Sequence, residues 1–130
     1  MNYSKIGAIL IAAIILNGCV GPKNRRLVCS GMLEGGIYRD AFQQLWGTPT
    51  RTGVLSGDEI VEAGWGGRGG SFYKGKTSYE MWSYEDRGVI LFFTKNEKKL
   101  AGNTSKLMGW STKKTVQELA AAAPDKCKQE

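Results

Sequence analysis

The chain has 130 residues, with 18 Lys or Arg against 12 Asp or Glu for a formal net charge of +6, three cysteines, 18 glycines and no histidine. Without histidine there is no Ser-His-Asp or Cys-His nucleophile system, no His-ligated zinc and no imidazole general base at neutral pH. The cysteines are too far apart for a structural zinc site, and the length supports one domain.

Residues 1–18 read as a targeting segment: Lys5 supplies a positive n-region, and Ile6 to Leu16 (IGAILIAAIIL) is an apolar run. That run is shorter than the roughly 20 apolar residues a membrane span needs. It ends in Leu16-Asn17-Gly18-Cys19, which resembles the lipobox of bacterial lipoproteins: an aliphatic residue, a small residue, then the cysteine to be acylated. An ordinary secretory signal with an incidental cysteine, or an uncleaved apolar anchor, are the competing readings. The expected organisation is a signal peptide over 1–18, a lipidated tether over 19–35 and one domain over 36–130. Val20 follows Cys19 where an aspartate would favour inner-membrane retention, so similarity to enterobacterial sorting favours the outer membrane. Lys23, Arg25 and Arg26 come directly after the anchor, as a solvated tether or beside anionic headgroups. Export replaces nucleic acid by envelope proteins and lipids as the partners for a basic domain.

Cys29 and Cys127 stand near the two ends of the exported domain, where an oxidising compartment allows them to pair. A bridge would close a loop of about 100 residues, for which chain entropy gives about 4.7 kcal/mol. Two unpaired thiols are the alternative, and the sequence alone leaves both open.

Ala41, Phe42, Leu45 and Trp46 recur at helical spacing, and Gly47 followed by Pro49 supplies a stop, which predicts a helix over Tyr38 to Trp46. Thr50 to Leu55 and Glu59 to Trp65 read as two strands around a Ser56-Gly57-Asp58 hairpin. Thr77 to Tyr84 and Val89 to Thr94 flank Glu85-Asp86-Arg87-Gly88 as the strongest hairpin. Alternation there puts Tyr79, Met81 and Ser83 on one face and Glu80, Trp82 and Tyr84 on the other. A further short strand is expected at Lys99 to Ala101. Thr115 and Glu118 have capping-box spacing ahead of a helix through Leu119 to Ala123, ended by Pro124.

The stretch Gly36-Ile37-Tyr38-Arg39-Asp40-Ala41-Phe42-Gln43-Gln44-Leu45-Trp46-Gly47-Thr48-Pro49 resembles the Gly-Met-Thr…Val…Leu-Gly-x-Pro signature of the SmpA/OmlA (BamE-like) outer-membrane lipoproteins. Phe42 stands at the valine position, with Gly47 and Pro49 at the family's glycine and proline. Tyr79-Glu80-Met81-Trp82-Ser83-Tyr84, followed by Val89 to Phe93 and Leu100, is similar to that family's later strands. The resemblance implies an α+β fold, a small antiparallel sheet with short helices packed on one face, and no catalytic role. Two departures stand out: Tyr38 replaces a capping threonine, and Ile60 to Lys76 is longer and richer in glycine.

Gly70-Ser71-Phe72-Tyr73-Lys74-Gly75-Lys76-Thr77 fits the phosphate-cradling G-x-x-x-x-G-K-[ST] pattern. A nucleotide loop follows a buried strand and opens a helix. Here glycines precede it and a strand pattern follows, so no nucleotide is expected. The same region carries Trp65, Arg68, Phe72 and Tyr73 among glycines, as aromatics packed on the sheet or as a recognition loop. No spacing of carboxylates singles out an acid and a base. The expectation is therefore a binding protein with no catalytic residue, metal or cofactor. It would dock on an outer-membrane or cell-envelope assembly, or else serve as a secretion, conjugation or inhibitor lipoprotein with a different protein partner.

Overall fold

The computed structural model of the chain describes residues 20–65, 74–95, 105–123 and 125–128. Helix α1 spans Pro22–Ser30, with proline in its first turn and Gly31 in the left-handed conformation (φ 75°) at its end. Proline pre-sets the entry dihedral and glycine accepts the exit one. Val28 on this helix and Leu33 just after it are buried in the core. The segment 19–35, expected as a tether, thus includes a packed helix. Gly31 is needed for space as well, since a Cβ there would lie 2.7 Å from Leu119 Cβ.

Helix α2 is Arg39–Trp46, with Ala41, Phe42 and Leu45 buried and Gly47 (φ 80°) closing it. Tyr38 stands at its N-cap without a side-chain hydrogen bond. Strand β1 (Arg51–Ser56) runs straight into helix α3 (Gly57–Glu62). The Glu59 N–H donates to Ser56 Oγ at 3.1 Å, and the Ser56 N–H donates to Glu59 Oε1 at 2.9 Å. This capping box corrects the expected hairpin at Ser56-Gly57-Asp58 and the expected strand over Glu59 to Trp65. It satisfies two of the orphan amides at a helix start.

Strands β2 (Ser78–Tyr84) and β3 (Val89–Thr94) form the expected hairpin around a 3₁₀ turn at Glu85–Arg87, closed by Gly88 at φ 66°. Strand β4 is Leu107–Thr112. All neighbours are antiparallel, in the order β1-β2-β3-β4. The strand expected at Lys99 to Ala101 lies outside the described residues, as does Pro124. Helix α4 (Val116–Ala121) carries the expected Thr115–Glu118 capping box, and the backbone and hydroxyl of Thr115 hold the Glu118 carboxyl below its usual range. A last helical turn, α5 (Asp125–Lys128), brings Cys127 to Cys29. The two are disulfide-bonded with Cα atoms 5.5 Å apart, within the ordinary range for a bridge.

The architecture is a small α+β fold, and its sheet is apolar on both faces. On one face Trp82, Tyr84, Val89, Leu91, Phe93 and Leu107 pack under α1, α2 and α4. Phe42 centres this layer, edge-to-face with Trp46 at 5.1 Å and with Phe93 at 5.7 Å. The Tyr84 hydroxyl donates to the Gly47 carbonyl at 2.9 Å, and burial pushes its pKa far above the ordinary tyrosine value. Arg39 pairs with Glu80 and lies 5.2 Å over the Trp82 ring, whose Nε1–H donates to Glu80. This ion pair at the margin of the core ties α2 to β2. The opposite face carries a second cluster of Ile60, Tyr79 and Phe92, with Leu55, Trp65, Met81 and Ile90 against it. The expectation that the helices share one face is therefore corrected by α3. Its Ile60 covers the face that the β2 alternation assigns to Tyr79 and Met81.

Candidate functional site: a groove across the strand ends

Helix α3 covers only part of the second face. It ends in a Schellman motif: the Gly64 N–H donates to the Val61 carbonyl at 3.0 Å and the Trp65 N–H to the Ile60 carbonyl at 3.2 Å. Gly64 supplies the positive φ of 75° that this motif needs. The turn lays the indole of Trp65 onto the sheet, stacked on Phe92 with ring centroids 6.3 Å apart and planes 29° apart.

Among the described residues, no helix or strand covers the sheet beyond Trp65. Register aligns Arg51, Ser83, Ile90 and Ser111 as one row across all four strands. Two serines leave little volume above the backbone, so the row forms the floor of a groove of about 590 Å³. Trp65, Ala63 and Gly64 make one wall, and the β4–α4 loop supplies the rim through Lys113 and Lys114. The Lys114 N–H donates to Thr112 Oγ1 at 3.0 Å. The stem of Lys114 lies where a side chain on Gly88 would stand, within 3.3 Å of a Cβ built there. At the other end Arg51 pairs with Glu85 at 2.8 Å, both side chains being largely exposed. The lining thus contains three cations and one carboxylate, and that carboxylate is already engaged.

Of the residues singled out from sequence, Trp65 belongs to the wall of this groove and to the second cluster at once. Arg68, Phe72, Tyr73 and Cys19 lie outside the described residues. Cys29 and Cys127 are joined at the opposite helical layer. Ser83, Ile90, Ser111, Lys113 and Lys114 carried no signal as a set, because only strand register brings them together.

Trp65→Ala tests the packing half of this description. Losing a half-buried indole stacked on Phe92 is expected to cost about 2 kcal/mol and to lower the melting temperature by roughly 8 °C. An unchanged melting temperature would show that the ring is not part of the fold. Among the described residues no helix is long and apolar enough to cross a membrane. Compared with known protein families, curated proteins and solved structures, the chain matches none.

Proposed function

We propose that the protein is a non-enzymatic envelope lipoprotein, held in the outer membrane by acyl chains on Cys19, that docks on an envelope protein assembly as an accessory subunit. The observation that carries this reading is the order of the N-terminal features. Lys5, the apolar run Ile6 to Leu16 and the Leu16-Asn17-Gly18-Cys19 motif are followed almost at once by α1 at Pro22. An acylated Cys19 would therefore connect to the folded domain by a very short link. Several acyl chains supply the anchoring that one chain cannot.

Two further features support it. A Cys29–Cys127 disulfide suits an oxidising compartment such as the periplasm. The stretch resembling the SmpA/OmlA (BamE-like) signature forms α2 between Gly36 and Gly47, both at positive φ, consistent with a signature made of structural residues. The glycine-rich departure after Ile60 favours a second reading, a secretion, conjugation or inhibitor lipoprotein that applies a similar scaffold to another protein. Both readings share the anchor and the docking role.

Palmitate labelling tests the anchor. The wild-type chain is expected to take up label and to accumulate as a longer precursor under globomycin, and Cys19→Ala is expected to lose the label. Processing that ignores globomycin, or label that survives Cys19→Ala, would defeat the lipoprotein reading.

A further inference from the structure

We infer that the groove across the strand ends receives a short acidic segment of the partner protein, in extended form, with two carboxylates flanking an apolar side chain. The inference rests on the protein-docking reading above and specifies its chemistry.

The charges are arranged along a line. Arg51 sits on β1, one edge of the sheet, and Lys113 and Lys114 lie just past β4, the other edge. Three strand spacings separate those edges, or about 14 Å at 4.7–4.9 Å per strand. A compact anion such as one phosphate cannot span that distance. An extended chain rises about 3.3 Å per residue, so carboxylates roughly four residues apart reach both ends. Between the cations the floor offers Ile90 and the wall offers Trp65, both partly exposed and apolar. Of the two serines beside Ile90 in that row, Ser83 is buried, and Ser111, partly exposed, offers its hydroxyl.

The cations are available. Lys113 and Lys114 are exposed, and neither forms an ion pair among the described residues. Glu118, the nearest acid in sequence, is held by the capping box with Thr115, and the charge of Lys114 is a lesser influence on its carboxyl. Arg51 is paired with Glu85, but both are exposed, and such pairs exchange readily for another carboxylate. Lys114 is held in place by its packing on Gly88 and by the Thr112 turn. A cationic rim of this kind selects its partner by charge and register while the apolar centre excludes water.

The probe is a fluorescent peptide of sequence Glu-Ser-Leu-Ser-Glu with blocked ends, titrated by anisotropy into the full chain in detergent. Lys113→Gln with Lys114→Gln is expected to weaken it about fivefold, as is raised salt. Lys23→Gln with Arg26→Gln removes the same charge from α1 and is expected to leave binding unchanged. Equal weakening by both pairs would reduce the effect to net charge and overturn the inference. So would loss of binding to phosphatidylglycerol vesicles, with peptide binding intact, in the Lys113→Gln Lys114→Gln chain, which would assign the lysines to a lipid surface. In native envelopes, zero-length carbodiimide coupling is expected to join Lys113 or Lys114 to a partner Asp or Glu. A partner that copurifies undiminished with the Lys113→Gln Lys114→Gln chain would overturn the groove while leaving docking intact. Failure to recover any partner would count against docking, and the peptide titration would still decide the groove.

Discussion

Unfolding the Cys29→Ser Cys127→Ser chain in urea is expected to require about 3–4 kcal/mol less than unfolding the oxidised wild type, with the midpoint of thermal unfolding lower by roughly 10–15 °C. The bridge spans a sequence separation of 98, so in the oxidised unfolded chain it closes almost the whole domain into one loop. Chain entropy for such a loop gives about 4.7 kcal/mol, and measured gains usually fall below that figure. The native state adds a local reason. α5 is a single four-residue turn, and Cys127 is its residue packed against the main core. Without the bridge that turn keeps an exposed hydrogen bond from the Arg25 guanidinium to the Lys126 carbonyl, whereas α4 keeps Leu119 seated against Gly31. Reductant should bring the wild type to the same midpoint as the double variant. A difference below about 1 kcal/mol between oxidised and reduced protein would mean that the unfolded chain gains no useful constraint from the bond.

Phe42→Ala is expected to be at least as costly, about 4 kcal/mol, because it opens a cavity where α2 packs on β2 and β3. Phe42 is fully buried and touches Trp46 from its own helix and Phe93 from β3 in edge-to-face contacts. Trp46 in turn packs edge-to-face on Tyr84 of β2, and Trp82 on Phe93. Truncation therefore removes both buried area and two aromatic pairs that add about 0.5–1.5 kcal/mol each. Phe42→Leu keeps much of the volume and should lose well under half as much. The check is the urea midpoint at constant m-value. A Phe42→Ala chain within 1–2 kcal/mol of wild type would show that α2 can slide to refill the space.

The two costly sites were legible in the sequence to different degrees, for physical reasons. α2 could be read because Ala41, Phe42 and Leu45 fall on one helical face and Gly47 with Pro49 ends it. The β2–β3 hairpin could be read because its alternation is regular and its two runs are adjacent in the chain. Ser56-Gly57-Asp58 misled because the same short polar residues serve turns and helix starts. Ser56 and Glu59 already had capping-box spacing, but Ile60-Val61 weighed toward a strand. α1 was hidden by composition, since Lys23, Arg25 and Arg26 dominate it and Val28 is its single fully buried residue. Pro22 and Gly31 marked its ends all the same. β4 was missed because Gly109 interrupts it and its pairing with β3 is long-range. The groove could not be read at all. Arg51, Ser83, Ile90 and Ser111 are scattered through the chain, and their alignment is a property of three strand registers together.

The central claim, that this is a lipoprotein that works by docking, is tested most directly by affinity capture of the acylated full chain from detergent-solubilised envelopes, followed by measurement of partner stoichiometry. An envelope protein is expected to be retained in fixed proportion to the chain. Recovery of the acylated chain alone, at the mass of a monomer plus detergent, would contradict it.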